Sequence, residues 1–452
     1  MTRRQCFLLI VPAIASSALA QTTQVDFAQI EAAANAELKS TNTPGAAIGI
    51  VQNGRLIYAR GVGTRNLETG DPVTEKTLFR LGSTTKMLTA TAVASLAADG
   101  KIDFADPVGK HISGLDNAIA ALTVNQIMSH TSGLKDEAIM NGRHDDTALG
   151  EEIHHWGSDW LFTKPGAIYS YANPGFWLAG FLAETVAGKA YADVMEERVF
   201  KPVGMTWTTL RPTMAITRTL SQGHDLVEGQ ISVLRPAPDN AANWPAGSVF
   251  SNLVDLSRFT ITLMNDGRID GKQVFSPKIV AALTTPHADV PGTKTKYGYG
   301  LDLDNDAGVR TWSHGGSRAG YGSFITMIPS QQEAIIVLCN RTGQNLPKTR
   351  AQIMRALGNP VAARDDDTGT AIDRSEFPKY IGLYRNGSAT TEIVERDGKL
   401  LLRGAELTKA SDGWLVFRSP QGGPGGRLFP VLGPRGRAEY LFTGGRSSAR
   451  VQ

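Results

Sequence analysis

A serine and a lysine three positions apart, Ser83 and Lys86, have the types and the spacing of a nucleophile and its base. Residues three apart on a helix lie on one face, a single turn from each other. The residues from Met87 to Leu96 are mostly apolar, which predicts a buried helix that directs Lys86 inward. Because burial disfavours the ammonium form and lowers the pKa of a lysine, its amine could accept the serine proton.

The same pattern occurs a second time, at Ser132-Gly133-Leu134-Lys135. A glycine separates its two reactive residues, and Ser129-His130-Thr131 just before it is typical of a turn, so this copy is not predicted to be catalytic. Patterns of four residues also arise by chance. Taken alone, Ser83 and Lys86 are compatible with an ordinary helix-capping serine and a surface lysine.

Two further motifs, Tyr171-x-Asn173 and His314-Gly315-Gly316-Ser317, favour the catalytic interpretation. A tyrosine held near a cationic lysine can exist partly as phenolate and act as a base. The Asn173 amide can bind both a substrate carbonyl and the lysine. Glycines let a strand edge approach bound substrate closely, and a backbone N–H there could form an oxyanion hole with that of Ser83.

The order of these motifs resembles the serine β-lactamase and penicillin-binding superfamily, in particular its class C β-lactamase-like serine hydrolases, peptidase family S12. Supporting matches lie at Phe79-Arg80-Leu81-Gly82, at Ile127 to Leu134 (similar to the family's "LLSHTSGL") and at Tyr297-Gly298-Tyr299-Gly300-Leu301. The resemblance covers residues 30 to 350. It implies an α/β (α+β) fold in which an antiparallel five-stranded sheet lies beside a helical domain, with the site between them.

The resemblance also implies roles for the residues that match. Ser83 is expected to form an acyl-enzyme while Lys86 and Tyr171 transfer its proton, with no cofactor. Asn173 is expected to orient the acyl chain. The H-G-G segment is expected to bind substrate or complete the oxyanion hole, through His314, Gly315, Gly316 and Ser317.

Three functions remain open at this point. The first is a peptidase or amidase for short or unusual peptides, such as D-residue or non-ribosomal ones. The second is an esterase or a β-lactamase, and the third is a non-catalytic penicillin-binding or regulatory protein. Class C β-lactamases usually have K-T-G where this chain has His314-Gly315-Gly316, a form more typical of the family's peptidases and esterases. The intact set of catalytic residue types argues against the third function.

Metal chemistry and nucleic-acid binding are not predicted. His154-His155 has no partner motif with zinc-ligand spacing. Asp302-x-Asp304-x-Asp306 copies the start of a calcium loop but lacks the later glycine and glutamate, so we expect an exposed hairpin tip there. The formal charge of +3 would fall to +1 if Arg3 and Arg4 were removed with a leader, which leaves no electrostatic case for nucleic acid or anionic membrane as a partner.

The first 20 residues have the pattern of a signal peptide. A short basic region precedes an apolar run from Cys6 to Ile14, and Ala18-Leu19-Ala20 forms a cleavage pattern. The apolar run is shorter than the ~20 residues that span a bilayer. We therefore expect a periplasmic or secreted protein, without a stable membrane anchor, that acts on a small peptide, amide or ester.

The remaining 432 of the 452 residues suit two globular units. A catalytic domain is predicted at 21–360, a polar linker at 361–374 and a lipocalin-like β-domain, barrel or curled sheet, at 375–452. Helices are predicted at Asp26–Leu38 and Thr84–Ala98, and paired strands at Phe324–Ile328 and Ala334–Leu338. The last unit contains no catalytic constellation of its own, so we expect it to shape access to the cleft or to mediate self-association.

Overall fold

The computed structural model describes residues 25–137, 139–361, 369–418 and 425–451. The predicted signal peptide lies outside these residues, as do residues 362–368 of the predicted linker. Within the described residues, no helix is long and apolar enough to cross a membrane.

An antiparallel sheet of eight strands forms the centre of the larger unit. In order across the sheet, the strands are Arg55–Gly63, Gly45–Gln52, Glu333–Cys339, Tyr321–Ile328, Val309–Arg318, Asp302–Asp306, Lys296–Tyr297 and Ala288–Asp289. The first five are 7 to 10 residues long and form the five-stranded sheet that was expected. The other three have 5, 2 and 2 residues and extend it past Val309–Arg318.

The two faces of this sheet enter different hydrophobic cores because side chains alternate along a strand. In the fully buried strand Glu333–Cys339, Ile335 and Val337 pack with the helices Phe27–Ser40 and Pro347–Ala356. Their neighbours on the opposite face join the larger core, which also contains Leu253 and Leu256 of the helix Leu253–Met264. Cys339 is a free thiol with no exposed surface, and burial raises its pKa.

Fourteen α-helices are assigned within the described residues, most of them between Arg80 and the strand Ala288–Asp289. They are Phe27–Ser40, Thr85–Ala98, Asn117–Ala120, Val124–Met128, Ala148–His154, Asn173–Ala187, Tyr191–Met195, Lys201–Val203, Pro212–Ala215, Trp244–Gly247, Leu253–Met264, Pro277–Thr284, Pro347–Ala356 and Phe377–Tyr380.

The helix Thr85–Ala98 lies at the centre of the helical region. Its residues from Thr85 to Leu96 are all buried, as the apolar sequence predicted, and a 3₁₀ turn at Gly82–Thr84 leads into it. It packs against the helices Asn173–Ala187 and Trp244–Gly247, while the 3₁₀ turn contacts the strand Val309–Arg318. The first turn of this helix therefore lies between the helical region and the sheet.

The C-terminal unit is a closed antiparallel barrel of eight strands. They are Gly382–Asn386, Ala389–Arg396, Lys399–Leu402, Ala405–Lys409, Leu415–Phe417, Gly426–Leu432, Ala438–Thr443 and Arg446–Arg450. Pairing of Gly382–Asn386 with Arg446–Arg450 joins its first strand to its last. Closure removes exposed strand edges. The predicted hairpin turn at Asp397-Gly398 is present, with φ values of 53° and 71°.

A second two-residue turn, Gly444-Gly445, connects the last two barrel strands. Both glycines have positive φ, 55° and 82°, as a tight hairpin turn of this type requires. The Gly445 carbonyl accepts a hydrogen bond of 2.9 Å from the Tyr171 backbone N–H. Ser447, on the strand that follows, donates to the Tyr169 carbonyl over 2.8 Å. The barrel is thus docked by this hairpin onto the segment that carries Tyr171.

Candidate active site

Ser83 lies on the 3₁₀ turn and Lys86 in the first turn of the helix that follows. Their side chains point the same way, and Lys86 Nζ is 3.3 Å from Ser83 Oγ. Ser83 is half-buried, whereas Lys86 has no exposed surface. The predicted geometry of a nucleophile beside a buried lysine is therefore present.

Lys86 Nζ has two closer partners besides Ser83. It donates to Asn173 Oδ1 over 2.6 Å and to the Ala246 carbonyl over 2.9 Å. Burial lowers the pKa of Lys86 to about 7, with Asp136 opposing the shift and Arg446 adding to it. Much of the protein population would therefore carry a neutral amine at neutral pH.

Tyr171 lies beside this pair but does not rest as a phenolate. Burial raises its pKa, and the nearby Ser83 hydroxyl only partly opposes the rise. The phenol oxygen is buried and has no well-formed hydrogen bond within the described residues, while Lys86 Nζ lies 4.8 Å from the centre of its ring. The expectation of a partly ionised tyrosine is not supported, because desolvation by burial is the largest influence on its pKa.

The orientation of the Asn173 amide follows from its partners. Asp136 Oδ1 accepts from both the backbone N–H and Nδ2 of Asn173, over 2.7 and 2.9 Å. A carboxylate only accepts hydrogen bonds, so Nδ2 must face Asp136 and Oδ1 must face Lys86. The other carboxylate oxygen accepts from Arg446 Nε over 2.6 Å, and Arg446 Nη2 also contacts it.

The candidate oxyanion hole lies where Gly82 and Gly316 allow the 3₁₀ turn that carries Ser83 to contact the strand Val309–Arg318. A Cβ atom on Gly82, whose φ is 56°, would lie 2.7 Å from the Ser317 backbone nitrogen. A Cβ atom on Gly316 would lie 2.0 Å from the Leu81 carbonyl oxygen. Because neither approach tolerates a side chain, Gly82 and Gly316 allow the Ser83 and Ser317 backbones to lie beside each other.

His314, on the strand Val309–Arg318, is buried and belongs to a chain of hydrogen bonds. The Ala172 N–H donates to His130 Nδ1 over 3.1 Å, so His130 Nε2 carries a proton and donates to the Tyr297 hydroxyl over 3.2 Å. Tyr297 then donates to His314 Nε2 over 3.3 Å, and His314 Nδ1 donates to the Gly315 carbonyl over 2.6 Å. Burial lowers the pKa of His314 to about 3 and that of His130 well below its usual range, so both rings are neutral.

Ser83 and Asn173 border two cavities. The smaller, of about 70 Å³, lies on the helical side, where Trp177, Ala246 and Gly247 line it. The larger is a cleft of about 830 Å³ between the sheet and the barrel, lined by both domains. The barrel contributes Phe442, Gly444, Gly445 and Arg446 to its wall.

The acidic run at Asp302 differs from the exposed hairpin tip that was expected. Its residues form the strand Asp302–Asp306, and the turn that follows has positive φ at Ala307 and Gly308. Asp302 is half-buried in the cleft, where burial raises its pKa to about 7. Within the described residues, no group of three or more histidine, cysteine, aspartate or glutamate side chains is arranged to hold a metal ion.

Four residues around the site were missed by sequence reasoning: Asp136, His130, Tyr297 and Arg446. The sequence places His130 in a turn and in the segment similar to the family's "LLSHTSGL" but predicts no role for it, and its φ of 58° does fit a turn. Tyr297 belongs to the motif Tyr297-Gly298-Tyr299-Gly300, which could have marked it. Asp136 follows the family-like segment ending at Leu134 by two positions. Nothing in the sequence distinguishes Arg446 from the other arginines of the barrel.

A family model described as Beta-lactamase matches residues 27–358 of the chain. Protein flp of Staphylococcus aureus (strain MW2) is 25% identical over 336 residues, which are 71% of this chain and 64% of that protein. The chain therefore spans less than two thirds of the length of that relative. A D-aminopeptidase of Gluconobacter oxydans (strain 621H) is 26% identical over 412 residues, 87% of this chain and 75% of the relative.

Solved structures show the same fold over nearly the whole chain. The crystal structure of SurE has a TM-score of 0.77 at 22% identity and covers 94% of this chain and 99% of its own. The octameric penicillin-binding protein homologue from Pyrococcus abyssi has a TM-score of 0.65 at 21% identity, with coverages of 93% and 95%. The barrel is included in these matches, since the covered share exceeds residues 27–358.

Proposed function

This chain belongs to the beta-lactamase family, and from that membership we propose that it is a serine hydrolase that forms an acyl-enzyme on Ser83, with short or unusual peptides and amides as its substrates. The hydrogen-bond geometry of Lys86 carries the proposal. A neutral lysine amine has two hydrogens and one lone pair. The Asn173 and Ala246 oxygens, at 2.6 and 2.9 Å, accept the two hydrogens, which leaves the lone pair for the Ser83 hydroxyl at 3.3 Å.

Acylation then proceeds with its protons accounted for. The substrate carbonyl oxygen binds the N–H groups of Ser83 and Ser317, and Ser83 Oγ bonds to the carbonyl carbon as its proton moves to Lys86. Collapse of the tetrahedral intermediate breaks the bond to the leaving amine. Tyr171, which is protonated, donates to that amine and recovers a proton from Lys86. A water molecule then attacks the ester carbonyl as its proton passes to Tyr171 and a Tyr171 proton passes to Lys86. Collapse breaks the bond to Ser83 Oγ, which takes the proton from Lys86, and the carboxylic acid is released.

An open strand edge beside Ser83 supports a peptide-like substrate. The strand Asp302–Asp306 pairs with Val309–Arg318 only as far as Ser313. No described strand pairs with Gly315 to Ser317 on that side, so an extended substrate could add its own backbone hydrogen bonds there. The small cavity of about 70 Å³ next to Ser83 suits a short side chain on the acylated residue.

The D-aminopeptidase relative supports the same substrate class, since its similarity extends over 87% of this chain. The absence of a positive charge on His314 argues against efficient β-lactam turnover. A lysine of a K-T-G motif would place a cation at this position, whereas the His314 ring is buried, uncharged and engaged at both nitrogens. A β-lactam carboxylate would therefore find no charged partner on this residue.

A substrate panel tests this function. Purified protein is assayed with D-alanyl and L-alanyl p-nitroanilides, p-nitrophenyl butyrate and nitrocefin, with Ser83→Ala as the background control. We expect the D-alanyl anilide to give the highest kcat/KM. A clear preference for nitrocefin or for the butyrate would replace the peptidase with a β-lactamase or an esterase. Absence of both turnover and fluorophosphonate labelling would indicate a non-catalytic protein.

We further propose that residues 1–20 direct export to the periplasm or the medium. The support is the basic start, the apolar run and the Ala18-Leu19-Ala20 pattern. Fractionation of expressing cells and the intact mass of the exported protein test this directly. A mature N-terminus at Gln21 is expected, and a full-length cytoplasmic product would overturn the proposal.

A further inference from the structure

We propose that Asp136 and Arg446 are positioning residues for the acylation step. In this arrangement the barrel's arginine holds the Asp136 carboxylate, Asp136 fixes the Asn173 amide, and Asn173 holds Lys86 against Ser83. The inference rests on the proposed acyl-enzyme chemistry of Ser83, and it assigns to the C-terminal barrel a part in catalysis beyond access to the cleft.

The Asp136 carboxylate is built into this position. Its side chain is 7% exposed, and it accepts two hydrogen bonds from Asn173 and contacts two nitrogens of Arg446. A carboxylate with so little contact with water needs such partners, because an unpaired buried charge is costly. Among the described residues, removal of Arg446 would leave Asp136 with Asn173 as its hydrogen-bond partner.

The arginine is in turn held by its own hairpin. Arg446 Nη1 donates to the Gly444 carbonyl over 3.2 Å, and its guanidinium carbon lies 5.3 Å from the centre of the Tyr171 ring. The Gly445 carbonyl accepts from the Tyr171 N–H. Arg446 is therefore fixed relative to the catalytic tyrosine, although its side chain is 44% exposed to the cleft.

The pair also acts on Lys86 through charge, in opposite directions. Asp136 raises the pKa of Lys86 and Arg446 lowers it. The other groups that face Lys86 do not ionise near neutral pH, since His130, His314 and Tyr171 are buried in their neutral forms. Burial raises the pKa of Asp302 to about 7 as well, but this residue lies in the cleft wall and is unchanged in the variants below.

Because the two charges shift the pKa of Lys86 in opposite directions, removing each one should shift the pH profile in opposite directions, which a general loss of structure would not do. Second-order rates of Ser83 labelling by a fluorophosphonate, together with kcat and KM for D-alanyl p-nitroanilide, are measured from pH 5 to 9. The full-length proteins are wild type, Arg446→Ala, Arg446→Lys and Asp136→Asn. We expect labelling and kcat to fall roughly 10- to 100-fold in Arg446→Ala and Asp136→Asn, because misplacement of a catalytic group by about 1 Å can cost that much.

The acid limb of the pH profile, where the rate falls as the pH decreases, should move in opposite directions in Arg446→Ala and Asp136→Asn. Arg446→Ala removes a cation near Lys86, so the limb moves to higher pH. Asp136→Asn removes an anion, so it moves to lower pH. Arg446→Lys restores the charge without the two-nitrogen fork and should recover part of the rate. Arg427→Ala is the control. Arg427 forms an ion pair of 2.6 Å with Asp412 within the barrel, and its side chain is 35% exposed, compared with 44% for Arg446.

The outcomes separate this inference from the function on which it rests. If wild type labels at Ser83 but both variants behave like Arg427→Ala, the positioning role is wrong and the hydrolase remains. Limbs that move the same way in both variants would also overturn it. If Arg446→Ala fails to fold, Arg446→Lys should keep the wild-type limb at a lower rate because it keeps the charge, and Asp136→Asn still tests the shift to lower pH. Failure of wild-type labelling would overturn the proposed function itself.

Discussion

Two regions supply this site in very different ways. Ser83 and Lys86 are three residues apart, on a 3₁₀ turn and on the first turn of the helix that follows it, and this local geometry sets the 3.3 Å between Lys86 Nζ and Ser83 Oγ. Arg446 comes from a barrel hairpin and reaches Asp136, 310 positions earlier in the chain. In the proposed mechanism, the first region supplies the reacting atoms and the second positions their surroundings. Substitutions in the first should therefore abolish chemistry, and those in the second should tune it.

The largest expected effect is that of Ser83→Ala. Loss of the nucleophile should lower kcat by roughly 10⁴-fold or more on every substrate, with an unchanged melting temperature, because Ser83 is half-buried and its neighbours remain in place. Peptide mapping by mass spectrometry after fluorophosphonate treatment should locate the label on Ser83. Ser132→Ala is the matched control, since Ser132 belongs to the other S-x-x-K segment. A label on Ser132 would remove Ser83 from its role.

Lys86→Arg should be almost as damaging as Lys86→Ala, although it keeps the positive charge. An arginine keeps its proton at working pH and cannot act as a base. In wild type, kcat/KM should fall about tenfold per pH unit below the Lys86 pKa of about 7, because the amine is then protonated. Steady-state rates from pH 5 to 9 measure both effects. If Lys86→Arg kept most of the activity, the role of Lys86 would be to supply a positive charge and not to accept a proton.

The same contrast explains what the sequence could predict. The Ser83–Lys86 pair follows from helix geometry over three residues, and the hairpin at Asp397-Gly398 from turn chemistry over two. Asp136 and Arg446 meet only because the Gly444-Gly445 turn docks beside Tyr171, which is a tertiary event without a local signal. The protonation of Tyr171 also depends on burial that no spacing encodes.

Tyr171→Phe tests a group that lies between the two regions. We expect kcat to fall roughly 10²- to 10⁴-fold, the range for loss of a positioned proton donor, while KM changes little. The ring contacts with Lys86 and Arg446 are kept in phenylalanine, so stability should be nearly unchanged. An ester with a good leaving group needs less protonation and should lose less rate than an anilide. Equal losses on both substrates would show that Tyr171 is not the acid for the leaving group.

The smallest expected effect is that of Tyr440→Phe, which separates docking of the barrel from its influence on catalysis. The Tyr440 hydroxyl forms a hydrogen bond of 2.8 Å with the Thr163 hydroxyl, a contact between the two domains that involves none of the catalytic side chains. Its loss should lower the free energy of unfolding by about 1 kcal/mol, the usual net value of such a bond. Because the Gly444-Gly445 turn and Arg446 remain docked, kcat/KM and the pH profile should stay within twofold of wild type. Thermal unfolding and steady-state kinetics measure the two quantities separately. If this variant instead reproduced the rate loss of Arg446→Ala, any loosening of the barrel would suffice to impair the site, and the specific role of Arg446 would give way to general packing.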